Sequence, residues 1–271
     1  VLFCVENNGY GLSTPTSEQL NCKNIAVQGI GSGMESHMID GNNILEVYDK
    51  VSKLADSIRK KLRPVLLEFK SFRMRGHEEA SGTKYVAKET LDFWSKKDPL
   101  ENYIAFLKKK KILTTAIEIQ YKEEITQEIN EHLQKASDEE KITPNLETEL
   151  NDVFKTTKFD EILPSSEKKN IRFVDAISEG LQQSMEKHDD LVIMGQDVAA
   201  YGGVFKITDG FVEKFGKERV RNTPICESAI VSAGYGLALS GIKSVVEMQF
   251  ADFVSSGFNP VVNLLAKSHY R

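Results

Sequence analysis

Residues 43–69, NILEVYDKVSKLADSIRKKLRPVLLEF, carry two different periods one after the other. Ile44, Leu45, Val47, Tyr48, Val51, Leu54, Ala55 and Ile58 recur at three- and four-residue spacing, which predicts a helix with one apolar face. Asn43, with Glu46 three residues on, reads as its cap. Pro64 stops the helix, and Val65-Leu66-Leu67-Glu68-Phe69 is a short apolar run that reads as a buried strand. The chain opens with a similar run, Val1-Leu2-Phe3-Cys4-Val5. Strand, helix and strand form the unit of a parallel sheet, so the first part of the chain is expected to be α/β.

The segments that follow the two strands are the first places to look for a site, because ligands of open α/β sheets sit outside the strands' carboxyl ends. After the opening strand comes Glu6-Asn7-Asn8-Gly9-Tyr10. After the second comes the polar loop Ser71-Phe72-Arg73-Met74-Arg75-Gly76-His77-Glu78-Glu79. Between them, residues 26–41 are Gly-rich and end in the turn Ile39-Asp40-Gly41-Asn42. From about residue 88 to 169 the character changes to helical, Glu/Lys-rich sequence. Ile117, Tyr121, Ile125, Ile129 and Leu133 form a narrow apolar stripe there, Lys108 to Lys111 read as a solvated helix face, and residues 141–169 read as a polar linker.

A second α/β pattern then begins. Phe173, Val174, Ile177, Leu181 and Met185 mark a helix, Leu191-Val192-Ile193-Met194 a strand, and Gly195-Gln196-Asp197 the loop after it. Ile230, Gly234, Leu237 and Ala238 lie on another helix, whose small residues Ala233, Gly234 and Gly236 suit close packing on a sheet, and Lys243 to Phe250 reads as a further strand. The expected organisation is α/β: two doubly wound parallel-sheet domains, at 1–87 and 170–271, joined by a helical and polar region at 88–169. Both domains read as incomplete, because the chain starts inside a strand and stops soon after one.

Composition narrows the function classes. The 271 residues are 40% hydrophobic and 28% charged, a globular balance, and no apolar run approaches the length of a membrane span. A formal net charge of -5 and a pI near 5.7 give no general attraction to phosphate backbones, so nucleic acid is not an expected partner. The three cysteines, Cys4, Cys22 and Cys226, are odd in number and widely spaced, which indicates neither a disulfide framework nor a zinc site and fits a reducing, cytoplasmic compartment.

Several side chains admit both a structural and a chemical reading. Asn8 and the carbonyl of Tyr10 can offer neutral oxygens to a hard cation such as Mg²⁺, or simply form an Asn-Gly turn that satisfies its own backbone. His77, flanked by Arg73 and Arg75, can move protons or hold an anion, or merely be exposed. Glu227 precedes an apolar helix, where it either complements the helix dipole or stands partly desolvated and ready to exchange a proton. Gln249 and Phe253 can offer a polar handle and an aromatic wall to a ring-shaped ligand, and are equally ordinary core and edge residues.

Taken together, three segments resemble one family. VLFCVENNGYGLSTPTSEQ (1–19) and FRMRGHEEASGTK (72–84) resemble the α subunit, and GQDVAAYGGVFK, NTPICESAI and EMQFADF (within 171–271) the β subunit, of the thiamin-diphosphate-dependent 2-oxo acid dehydrogenases, with the branched-chain type the better match. These are the decarboxylating first components of the lipoate-linked complexes. The resemblance implies a thiamin-diphosphate-binding fold, a fused α/β form truncated at both ends, and thiamin diphosphate with Mg²⁺ as cofactors. By position, Asn8 and the Tyr10 carbonyl match the metal ligands. His77 matches the loop histidine near the diphosphate and reacting centre, and Arg73 its companion. Glu227 matches the glutamate that exchanges a proton with the aminopyrimidine ring, and Gln249 and Phe253 its surrounding wall.

The implied reaction is oxidative decarboxylation of a 2-oxo acid, with reductive transfer of the acyl unit to the lipoyl domain of a dihydrolipoyl acyltransferase, by a homodimer of fused chains. Pyruvate or acetoin is the rival substrate class. A non-catalytic structural or assembly fragment, unable to bind cofactor alone, is the rival of another kind. The sequence also departs from the family. The Gly-Asp-Gly half of the metal motif is not in the chain, Gln196 stands where many β subunits have Glu, and Phe253 where the branched-chain type commonly has Tyr. Glu78 replaces the Ser that the mitochondrial enzymes phosphorylate, so no phosphorylation control is expected at this position, and a phosphate on Ser81 would upset that expectation.

Overall fold

Val65–Lys70 (β5 below) is the central strand of the first sheet, and four of its residues, Val65, Leu66, Leu67 and Glu68, are buried. The computed structural model describes all residues except 79, 81, 159, 160 and 162. Two units emerge, Val1–Glu140 and Lys141–Arg271.

In chain order the first unit contains β1 (Leu2–Asn7), a hairpin of β2 (Tyr10–Gly11) and β3 (Thr14–Pro15), α1 (Thr16–Gln19), α2 (Ala26–Gly31), β4 (Glu35–Asp40), α3 (Ile44–Lys60), β5, α4 (Lys88–Ser95), α5 (Pro99–Lys109) and α6 (Thr115–Asp138). Its sheet is parallel, in the order β1-β5-β4, with Leu2 level with Val65 and Glu35 level with Val65 on the other side. Val65 and Leu67 join Ile39 and Leu54 in a core to which Leu2, Val47, Val51, Ile58 and Phe69 add, so this face is covered by α3. Leu66 points the other way, to α2, where a Cβ on Gly29 would stand 3.0 Å from its own Cβ. Helices on both faces explain why β5 reads as a continuous apolar run rather than an alternating one.

Asn43 caps α3 as expected, its side chain accepting from the Glu46 N–H. The strand before α3 was not expected, for residues 26–41 hold α2 and β4 rather than only Gly-rich turns. β4 is the edge of the sheet and carries Glu35, Ser36 and His37, and Met38 is 49% exposed, so it lacks the apolar signal of a central strand. The α3 crossover therefore joins β4 to β5, and β1 completes the other side.

The Lys108 to Lys111 run, whose first two residues end α5, is exposed at every position, as a solvated face would be. Lys108 pairs with Glu118 of α6, and hydrogen bonds from Lys108 and Lys122 bring that carboxyl down to about 2. The apolar stripe of α6 lies in solvent, with Tyr121, Ile125, Ile129 and Leu133 all more than half exposed.

The second unit contains α7 (Leu146–Asn151), which falls inside the stretch read as a polar linker, then α8 (Phe173–Lys187), β6 (Leu191–Gly195), α9 (Phe211–Phe215), β7 (Val220–Asn222), α10 (Glu227–Leu239), β8 (Lys243–Val246) and a 3₁₀ turn over Ala251–Ser255. Its sheet is again parallel, β7-β6-β8. Ile193 is level with Val220 on one side and Val245 on the other, and joins Met185, Leu191, Phe211 and Val220 in the core under α8 and α9. α10 covers the opposite face. A Cβ on Gly234 would stand 2.8 Å from Val246 Cγ1, so that glycine does serve close packing, whereas Gly236 faces open space. β7 has three residues and no readable period, which hid it from the sequence. β8 ends at Val246, so Glu247, Gln249 and Phe250 lie beyond the strand rather than in it.

Both units are α/β with parallel sheets, the architecture expected from the sequence. No helix among the described residues is long and apolar enough to cross a membrane.

Candidate functional site

The candidate residues of the first unit gather beyond the carboxyl ends of β1 and β5. Asn7 ends β1 and is buried, with its Oδ1 accepting from the Gly9 N–H at 3.0 Å. Asn8 Oδ1 accepts from the Tyr10 N–H at the same distance. These successive Asx turns reverse the chain through Gly9, whose φ of 84° is the left-handed conformation a glycine adopts without strain. The turn-forming reading of Asn8 is thus realised. It leaves the second lone pair of the amide oxygen for a ligand. Tyr10 lies opposite Pro15 in the β2-β3 hairpin, and a proline has no N–H to give its carbonyl. The donor set of Asn8 Oδ1 and the Tyr10 carbonyl therefore fits a hard cation held by few protein oxygens. Among the described residues no group of three or more His, Cys, Asp or Glu side chains forms a metal cage of another kind.

Arg73 joins this turn region to the loop after β5. Its Nη2 donates to the Leu12 carbonyl at 3.0 Å and lies 3.2 Å from the Tyr85 hydroxyl, its Nε donates to the Arg75 carbonyl at 3.3 Å, and its Nη1 lies 3.2 Å from His77 Nδ1. The Tyr10 ring meets Phe72 and Tyr85 edge to face, with centroids 6.2 and 5.7 Å apart. The Tyr10 ring thereby meets, through Tyr85, the Arg73 side chain that faces His77. Leu12, Ser13, His77, Glu78 and Tyr85 line a recess of about 340 Å³ there. Gly76 makes the loop possible, since a Cβ on it would stand 2.5 Å from the Gly82 carbonyl oxygen. Ser81, named above as a possible phosphate acceptor, and Glu79 lie outside the described residues.

In the second unit the candidates again follow strand ends. Glu227 is the first residue of α10, so its charge does complement the helix dipole. Its Oε1 also accepts from Gln196 Nε2 at 3.1 Å. Gln249 turns its amide to the loop after β6, lying 3.3 Å from the Gln196 carbonyl and 3.4 Å from Asp197 Oδ2. Gln249 and Glu227 thus meet through Gln196 rather than directly. Phe253 is set apart from them, edge to face with Phe250 at 5.4 Å, which in turn meets Phe205 at 5.9 Å.

Four residues had no role in the sequence reading and acquire one here. Tyr85 shares the Arg73 guanidinium, Phe250 supports Phe253, Glu68 is an acid buried within β5, and Glu247 is a partly buried acid just past the end of β8. Burial raises the Glu247 carboxyl above its ordinary value, with Asp197 adding repulsion, and its Oε2 is buried with no hydrogen-bond partner among the described residues. A lone acid within VLLEF, and another directly after KSVV, were the available signals.

The family model for the dehydrogenase E1 component matches residues 1–145, more than half of the chain. The chain belongs to this family. Residues 169–271 match the transketolase pyrimidine-binding domain. Among curated proteins, the chain is 43% identical over 99 residues to the 2-oxoisovalerate dehydrogenase subunit beta of Bacillus subtilis, covering 36% of the chain and 30% of the relative. It is 40% identical over 101 residues to the pyruvate dehydrogenase E1 component subunit beta of Acholeplasma laidlawii, covering 37% and 31%. The mitochondrial 2-oxoisovalerate dehydrogenase subunit beta of Dictyostelium discoideum is 40% identical over 111 residues, covering 41% and 30%. The chain thus spans about 30% of the length of these relatives. The motifs and the matches agree on a thiamin-diphosphate-dependent 2-oxo acid dehydrogenase component.

Proposed function

We propose that the protein is the decarboxylating component of a lipoate-linked complex, with α-like and β-like parts in one chain, acting on a branched-chain 2-oxo acid and passing the acyl unit to the lipoyl domain of an acyltransferase. The observation that carries this reading is the Glu227 carboxylate at the start of α10, held by Gln196 within the stretch that matches a pyrimidine-binding domain. Thiamin diphosphate, when bound, supplies the nucleophile and the electron sink that loss of CO₂ requires.

The chain's own residues do the rest. Asn8 Oδ1 and the Tyr10 carbonyl would hold Mg²⁺, and Arg73 and His77 would serve the diphosphate. Glu227 would take and return a proton on a carboxylate oxygen at the aminopyrimidine, a role that needs a carboxyl fixed in place, and Gln196 holds it. Gln249 holds the loop after β6, and Phe253, backed by Phe250, would wall the ring. The protein works as a homodimer in a reducing, cytoplasmic compartment.

Pyruvate is the second reading, because relatives named for pyruvate and for 2-oxoisovalerate are nearly equally similar. Steady-state assays of the full-length protein on 3-methyl-2-oxobutanoate and pyruvate separate the two. Branched-chain specificity predicts at least about tenfold higher kcat/KM for the former, about 1.4 kcal/mol in transition-state binding, and a preference of that size for pyruvate reverses the assignment. Calorimetry with Mg²⁺ and thiamin diphosphate distinguishes both from a structural role, for which no cofactor binds.

A further inference from the structure

Glu68 is the charged residue in the middle of the most deeply buried strand of the first sheet, with 0% of its surface exposed. Its neighbours on β5, Val65, Leu66 and Leu67, are apolar and buried. Burying a carboxylate there carries a large desolvation cost unless its oxygens are satisfied, and an apolar residue of similar size is often no worse for stability. Both oxygens are satisfied, and by informative partners. Oε1 accepts from Asn7 Nδ2 at 2.6 Å, and Oε2 accepts from the Ala26 N–H, where α2 begins, at 2.8 Å.

Asn7 has its other amide atom engaged as well, Oδ1 accepting from the Gly9 N–H at 3.0 Å. Asn7 is 5% exposed, so this chain of bonds is out of water and each link is directional. From the sheet interior it runs Glu68, Asn7, Gly9, and the next Asx turn, from Asn8 to the Tyr10 N–H, starts inside it. The amide of Asn7 cannot turn over without placing its NH₂ against the Gly9 N–H and its oxygen against Glu68. We infer that Glu68, acting through Asn7, is a positioning residue that sets the geometry of the Asn8-Gly9-Tyr10 turn. That this turn is a metal clamp rests on the function proposed above; that Glu68 shapes it does not.

The bonding pattern supplies its own test. Glu68→Gln places an NH₂ against one of two donors and breaks one link. Asn7→Asp sets a carboxylate oxygen against Glu68. The double exchange, Glu68→Gln with Asn7→Asp, restores every link. Its new amide accepts from the Ala26 N–H and donates to the new carboxylate on β1, whose other oxygen accepts from the Gly9 N–H. Amide hydrogen exchange at Gly9 and Tyr10 in the full chain without metal is the first readout. Each single variant is expected to speed it about tenfold, and the double variant to return it to the wild-type rate. A role confined to stability would instead speed exchange throughout β5 and leave Gly9 and Tyr10 no different from the rest.

The second readout is the Mg²⁺ concentration that half-saturates thiamin diphosphate binding, expected to rise about tenfold in the singles and recover in the double. Unchanged exchange at Gly9 and Tyr10 in the single variants overturns the inference. If the single variants do not fold, the double variant decides alone: wild-type protection of both amides supports it, and lost protection overturns it. Exchange that changes and recovers as expected, in a protein that binds no Mg²⁺ at all, upholds the inference and refutes the metal reading instead.

Discussion

Arg73 Nη1 and His77 Nδ1 face each other across 3.2 Å. A guanidinium has donors and no acceptor, so His77 Nδ1 must accept, and the proton of the neutral ring then sits on Nε2. The contact gives His77 one orientation and one tautomer, with Arg73 held in turn by the Leu12 carbonyl and Tyr85.

Arg73→Met should therefore free the His77 ring without disturbing the sheet. The expected loss in kcat/KM is about 10²-fold, the usual cost of a misplaced group, with little change in Tm. Nitrogen-15 chemical shifts should show the Nε2–H tautomer in the wild type and a mixture in the variant. A wild-type ring protonated on Nδ1 would contradict the assignment.

Gly76 is crowded by the backbone of two residues, with a Cβ there standing 2.5 Å from Gly82 O and 2.8 Å from Glu78 O. Gly76→Ala should push the loop open and separate His77 from Arg73 while the sheet stays intact. Limited proteolysis should cut the loop faster in the variant, and turnover should drop with Tm nearly constant. Equal cutting rates in the two proteins would count against a close-packed loop.

Gly234 lets α10 approach β8, with only 2.8 Å between an added Cβ and Val246 Cγ1. Gly234→Val should destabilise the protein by about 1–3 kcal/mol through overpacking. Urea denaturation reads this directly. Gly236→Ala, where nothing lies within 4 Å, should cost nothing and serves as the control.

Glu247 links stability to pH. Burial raises its carboxyl in the folded state above the ordinary 4.5. A raised folded pKa gives stability that is fully present below the unfolded value and lost as pH rises through the folded one. Wild type should therefore lose stability from this residue as pH rises above about 4.5. Glu247→Gln should match wild type near pH 4 and exceed it at pH 7, as measured by denaturant midpoints. Identical pH profiles would mean that Glu247 is solvated and ordinary.

What the sequence made legible follows from how strongly each signal was repeated. The α3 helix had eight apolar positions and a cap, and β5 had an unbroken apolar run, so both were readable. Two of the four edge strands of the parallel sheets were not. β4 shows water Met38 and carries polar residues, and β7 has only three residues, so neither has a period to detect. The candidate site was legible as segments, since Asn8, Tyr10, Arg73, His77 and Glu227 all follow strand ends or open a helix. The links between those segments were not, because a bond from Arg73 to the Leu12 carbonyl, or from the Asn7 amide to Glu68, spans 61 residues and depends on register. Gln196 was visible only as a departure from the family's Glu, and its hydrogen bond to Glu227 emerged with the fold.

The most direct measurement is CO₂ release from 3-methyl-2-oxobutanoate by the full-length protein with Mg²⁺, thiamin diphosphate and an artificial electron acceptor, comparing wild type with Glu227→Gln. The account predicts turnover in the wild type and a fall of about 10²–10⁴-fold in the variant, the range expected for removing a positioned acid-base group, with cofactor binding and Tm retained. Turnover that survives the substitution, or a wild-type protein that decarboxylates no 2-oxo acid, would contradict it.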